Sequence, residues 1–166
     1  VLLFVGKLIP KKNPGDLLDA YKQLAPKNPN LKLVFVGDGS LREALEKSAA
    51  ELHGVKFVGF KNQTEVPSFY SMADILTLPS GLGETWGLVV NEAMCFGLPI
   101  IASDVIGCGG DLIIEGSNGF IFPAGDVQKL TEAISFFLMH PEKKEAFSDK
   151  SCEIIKRYSL DECVAG

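Results

Sequence analysis

Positive charge is in deficit in this sequence: 16 Lys and Arg stand against 21 Asp and Glu, a net charge of −5 over 166 residues. Such a balance gives no general attraction for nucleic acid or acidic lipid, so any phosphate must be held by local groups. Metal-binding patterns are also missing. Cys95, Cys108, Cys152 and Cys163 form no Cys-x-x-Cys pair, His53 and His140 stand apart from them and from each other, and no Asp-x-Asp pair is available to hold a metal with a diphosphate. Zinc ligation is therefore not expected, and the simplest reading of the thiols is a reduced, intracellular setting. No apolar run approaches the ~20 residues needed to span a bilayer, and no signal peptide is evident. The first residue, Val1, already lies inside a strand-like pattern, which reads as a piece excised from a longer protein.

What is present is enough apolar sequence, 46% of residues, to bury one full core, so a single domain over residues 1–166 is expected. Short apolar runs alternate with amphipathic stretches. Strands are expected at 1–5, 31–36, 55–58, 74–78, 99–102 and 119–122. Between them, Leu17, Leu18, Tyr21 and Leu24 recur at helical spacing, as do Val127, Leu130, Ile134 and Phe137 behind an Asp126 cap. Ser40 and Glu43 have the spacing of a capping box opening a helix with Leu41, Leu45, Ala49 and Leu52. Further helices are expected at about 65–72, 87–96 and 110–115, and a last one from Pro141 to about Tyr158. Regular alternation of strand and helix predicts an α/β fold, a parallel sheet of about six strands with helices on both faces.

Two segments carry candidate chemistry. In Gly83-Glu84-Thr85-Trp86-Gly87-Leu88-Val89-Val90-Asn91-Glu92, two carboxylates lie eight positions apart, the first in a Gly-flanked loop after a strand and the second inside a helix. The carboxyl edge of a parallel sheet is where such folds bind ligands, and two acids beside a helix N-terminus suit a hydroxyl-rich, phosphorylated molecule. The other reading is structural: Glu84 favouring the helix dipole, Glu92 facing solvent and Trp86 filling the core. The apolar neighbours Val89, Val90, Ala93 and Phe96 favour a partly buried, ligand-directed Glu92. The second segment is the turn Gly6-Lys7-Leu8-Ile9-Pro10-Lys11-Lys12-Asn13-Pro14. Its backbone N–H groups and ammonium groups could meet a diphosphate, or it could be an ordinary solvated loop; it lacks the Gly-Lys-Ser/Thr of a P-loop. Gly37-Asp38-Gly39 reads as a tight turn, and His53 and His140 as surface residues at helix ends.

Taken in order, Phe4-Val5-Gly6-Lys7-Leu8, Val36-Gly37-Asp38-Gly39-Ser40-Leu41, Ala73-Asp74 with Leu78-Pro79-Ser80, Glu84 to Glu92, Gly97-Leu98-Pro99-Ile100-Ile101-Ala102-Ser103-Asp104 and Asn118-Gly119-Phe120 resemble the group 1 family of retaining glycosyltransferases. The likeness is to their carboxyl-terminal, nucleotide-sugar-binding domain, one Rossmann-like half of the GT-B architecture. It implies that Lys7 and Lys12 contact the donor diphosphate, with Lys7 standing where the family usually has arginine and Asn13 replacing a frequent glycine. It implies that Glu84 meets donor-sugar hydroxyls, that Glu92 holds the ribose, and that Gly6 and the Trp86-Gly87-Leu88-Val89 backbone approach sugar and phosphate. Phe60 falls in the base-binding loop. Glu84, Lys7 and Lys12 are thereby the expected catalytic set, with the diphosphate as leaving group and with no metal or cofactor besides the nucleotide-sugar donor. The resemblance further implies a carbohydrate or lipid-linked acceptor bound by an amino-terminal domain outside this sequence, no nucleic-acid partner, and a cytoplasmic location with peripheral association at the inner membrane face allowed. Two alternatives stay open: a fragment of a sugar-nucleotide epimerase, and a non-enzymatic nucleotide-binding or protein-interaction domain.

Overall fold

The computed structural model describes residues 1–158. Its strands are β1 (Leu2–Val5), β2 (Leu33–Val36), β3 (Val55–Phe57), β4 (Ile75–Leu78), β5 (Ile100–Ser103) and β6 (Gly119–Phe122). They pair in parallel in the order β3-β2-β1-β4-β5-β6. Every residue of β1, β2, β4 and β5 is buried. That is why these strands read as continuous apolar runs: a parallel sheet is covered on both faces, so no alternate residue need be polar.

The covering helices are α1 (Pro14–Leu24), α2 (Arg42–Ser48), α3 (Val66–Met72), α4 (Leu88–Cys95), α5 (Gly109–Leu112), α6 (Val127–Met139) and α7 (Lys143–Lys156). Successive strand residues point to opposite layers. Leu2, Phe4, Leu33, Phe35 and Ile101 meet Leu17, Leu18 and Tyr21 of α1 with Leu130, Ile134 and Phe137 of α6. Leu3, Val5, Val34, Leu76 and Ile100 meet Tyr70 of α3, Val90, Ala93 and Met94 of α4, and Ile154 of α7. Each fully buried side chain of this size is worth about 1.5–3 kcal/mol, so the two apolar layers are the main source of stability. Among the described residues no helix is long and apolar enough to cross a membrane.

The expected apolar face of α1 is its buried face, and the Asp126 carboxylate caps α6 by accepting from the Lys129 N–H at 2.9 Å. The capping box at Ser40 and Glu43 does not form. α2 begins at Arg42 with no side-chain cap, and the chain before it is held by Leu8 and Asp38 instead. The Leu8 carbonyl accepts from Leu41 N–H at 2.9 Å. The Asp38 carboxylate accepts from Gly39 N–H at 2.7 Å and from the Arg42 guanidinium at 2.8 Å, contacts that hold it below the usual carboxylate range. His53 is exposed and His140 is the exposed C-cap of α6. Cys95, Cys108 and Cys152 are free thiols; Cys163 lies outside the described residues.

Candidate functional site

The strand order reverses at β1. From β1 the chain moves outward to β2 and β3, then returns to the other side as β4. The turns leaving β1 and β4 therefore diverge from neighbouring strands and open a crevice between them, the position at which doubly wound sheets receive ligands.

The turn after β1 is fixed from below by the 37–41 loop. Gly6 N–H donates to the Val36 carbonyl and Leu8 N–H to the Asp38 carbonyl, each at 2.9 Å. Gly37 has φ +137°, and a Cβ there would overlap the Gly6 carbonyl oxygen; one at Gly39 would overlap the Leu8 carbonyl. The two glycines of the Gly37-Asp38-Gly39 turn thus let two loops touch backbone to backbone. Beyond Leu8 the chain makes a 3-10 turn at Pro10–Lys12 and passes through Asn13, at φ 44°, into α1.

The turn after β4 lies against this one. Gly81 N–H donates to the Lys11 carbonyl at 2.7 Å, and the end of the Lys11 side chain lies 3.3 Å from where a Cβ on Gly83 would stand. Ser103 of β5 holds the other side, its hydroxyl donating to the Ser80 carbonyl at 2.6 Å. The Glu84 carboxylate accepts from the Lys12 ammonium and, at 3.2 Å, from the Ser80 hydroxyl. Both members of the ion pair are largely buried, with 18% of the Lys12 side chain and 12% of the Glu84 side chain exposed. Lys7 is exposed and makes no ion pair among the described residues. Gly87, at φ +91°, turns the chain into α4, whose N-terminus has no side-chain cap. The N–H groups of Leu88 and Val89 are in its first turn, and Leu88 is exposed.

Trp86 is engaged inside the protein: its indole packs on the layer around β4 and α4 and donates to Asn91 Oδ1 at 2.8 Å, while its carbonyl accepts from Cys108 N–H. Cys108 is buried, and burial pushes its thiol up to about 11, which keeps it protonated. Glu92 corrects the expectation of partial burial: it is exposed. Its carboxylate nonetheless has a fixed partner, the hydroxyl of the buried Tyr70, which donates to Oε2 at 2.7 Å. Tyr70 lies on α3, and sequence spacing gave no signal for the contact.

Two adjoining cavities extend the crevice. One of about 380 Å³ is bordered by Val5, Lys61, Val66, Tyr70, Glu92 and Phe96. The other, of about 330 Å³, is bordered by Gly6, Lys7, Gly37, Asp38, Phe60 and Lys61. Phe60, 76% exposed, stands on its rim. Gly6, Lys7 and Phe60 thus border one cavity and Glu92 the other, the two sharing Val5, Lys61 and Val66 in their walls, with the Lys12–Glu84 pair and the start of α4 outside both, in the neighbouring turns.

Residues 1–153 match the family model described as glycosyl transferases group 1. The chain belongs to this family. It is 32% identical over 166 residues to an uncharacterized glycosyltransferase of Methanocaldococcus jannaschii, a match covering 99% of this chain and 45% of that protein. It is 27% identical to HepE of Anabaena, whose crystal structure is a complex with UDP-glucose, with a TM-score of 0.82 over 94% of this chain and 43% of HepE. The crystallised C-terminal domain of the group 1 protein LpcC from Francisella tularensis shares the fold, with a TM-score of 0.87 at 18% identity over 96% of this chain and 86% of that domain. The chain spans less than half the length of the curated relatives it matches. Its parallel six-stranded sheet is Rossmann-like and matches the corresponding domain of GT-B glycosyltransferases.

Proposed function

We propose that this group 1 domain binds the nucleoside-diphosphate sugar of a two-domain retaining glycosyltransferase. The observation that carries the reading is the convergence of two sequence-distant turns at the strand reversal, where Lys12 meets Glu84 beside the uncapped start of α4. Cations and free N–H groups there can neutralise a diphosphate, and carboxylates can accept from sugar and ribose hydroxyls. The UDP-glucose in HepE supports the same ligand class for this fold.

In this reading the sugar–phosphate bond breaks with its electrons passing to the diphosphate. Lys7, Lys12 and the N–H groups of Leu88 and Val89 stabilise the negative charge that develops on the leaving oxygen, the kind of preorganised electrostatics that lowers a barrier most. Glu84 accepts from the sugar and holds its anomeric carbon facing the acceptor. Glu92 accepts from the ribose, and Phe60 with the 37–38 backbone borders the base. The acceptor is held by the amino-terminal half of the longer protein, and closure of the two halves excludes water. The acceptor's hydroxyl oxygen bonds to the anomeric carbon as the sugar–phosphate bond breaks, and the hydroxyl proton passes to the departing diphosphate oxygen.

Isothermal titration of this chain with UDP, GDP and ADP, each with and without an attached hexose, tests the reading. One diphosphate should bind, its sugar conjugate should bind more tightly, and the extra affinity should vanish in Glu84→Gln. Absence of binding across the panel would return the domain to a structural role.

A further inference from the structure

We propose that Tyr70 is the positioning residue for Glu92, holding one carboxylate oxygen so that the other is presented to the ribose hydroxyls of the nucleotide. The inference rests on the donor-site reading and adds a residue from an element, α3, that otherwise only packs.

The Tyr70 ring is 2% exposed and belongs to the apolar layer formed by Val5, Val36, Leu76 and Met94. Its hydroxyl leaves that layer at the wall of the 380 Å³ cavity and donates to Glu92 Oε2. Phe96, the C-cap residue of α4 four positions after Glu92, stacks on the ring with centroids 5.5 Å apart. The donor is thus immobilised by packing on both sides.

Glu92 has the opposite character. It is exposed, Tyr70 is its hydrogen-bond partner among the described residues, and the nearest cation on the cavity wall, Lys61, is held by Glu65. A free glutamate on a helix surface samples many rotamers, and ordering it costs side-chain entropy. The Tyr70 bond removes much of that freedom beforehand. Oε2 carries the Tyr70 bond, and Oε1 has no partner among the described residues. Burial, with the Glu92 carboxylate adding to it, pushes the phenol well above its ordinary value, so the tyrosine remains a proton donor.

Ribose hydroxyl deletion tests this against a merely structural tyrosine. UDP, GDP and ADP and their 2′,3′-dideoxy counterparts are titrated into wild type, Tyr70→Phe, Glu92→Gln and the double variant, using the base that wild type prefers. Tyr70→Phe keeps the ring and the core. It should weaken the ribonucleotide about fivefold to tenfold, change the dideoxynucleotide less than about twofold, and add little to Glu92→Gln in the double variant. Equal loss for both sugars, no loss for either, or full additivity overturns the role of Tyr70 while leaving the donor site intact. Failure of wild type to bind any of the three nucleotides overturns the donor site itself, and this inference with it.

Discussion

Lys12 has a carboxylate partner in Glu84, so a bound diphosphate must compete with or share that ammonium. Lys12→Ala should weaken nucleoside-diphosphate binding by about tenfold or more, since a charge-assisted contact is lost, and the difference from wild type should shrink as salt screens it. Titration at low and high ionic strength reads both effects; an affinity that stays at the wild-type value would make the turn an ordinary loop. The two acids should separate in the opposite sense. Glu84→Gln frees Lys12 from its pair, so binding of the bare diphosphate should equal or exceed that of wild type while the increment from the attached sugar is lost. Glu92→Gln should weaken the bare diphosphate and the conjugate alike, because the ribose is common to both. Similar losses of diphosphate affinity in the two variants would contradict these roles.

At the scale of elements, the site depends on loops that touch through backbone. Gly37 sits at φ +137° with the Gly6 carbonyl where its Cβ would be, so Gly37→Ala must strain its own backbone and push the first βα turn outward. A loss of about 2–4 kcal/mol in urea unfolding is expected, with weakened nucleotide binding wherever the variant is still folded; wild-type stability would show that the two turns are not in such close contact. The strands that frame these loops were legible because doubly covered strands are apolar throughout. Leu2 to Val5 and Leu33 to Val36 announce themselves. The start of α2 was not, since the Leu41 N–H is taken by the Leu8 carbonyl, 33 positions earlier, and the helix begins only at Arg42, past the position a Ser40 cap requires. Glu92 was misplaced for a related reason. Its apolar neighbours suggested burial, but at about 100° per residue the inward positions are Val90, Ala93 and Met94, which turns Glu92 outward. Individual site residues were visible as types in loops, whereas their partners were not: Lys12 with Glu84 and Tyr70 with Glu92 are joined only by the strand order.

At the scale of the whole molecule, the crevice has one wall among the described residues. The turns after β1 and β4, the rim residue Phe60 and the exposed Leu82 and Leu88 all lie on the carboxyl edge of a single sheet, and the chain covers less than half of its curated relatives. A donor held on one wall keeps its anomeric carbon open to water, and an acceptor has no surface on which to be held in line with it. The isolated domain should therefore fold and bind donor weakly, yet transfer no sugar. If, as proposed, the domain works as one half of a two-domain enzyme, supplying an upstream half like that of its longer relatives should cover the exposed apolar rim and recover transfer, because closure turns an encounter between two diffusing substrates into a reaction within one complex, an advantage of up to about 7–11 kcal/mol. The measurement is transfer of a labelled sugar, with the anomeric configuration of the product read by NMR, for residues 1–166 alone and for the longer chain. Retained configuration from the longer chain and silence from the domain is the expected pair. Acceptor-dependent turnover by the domain alone would mean that the one wall already carries a complete site, and inverted configuration from the longer chain would require a base that none of Lys7, Lys12 or Glu84 has been assigned to be.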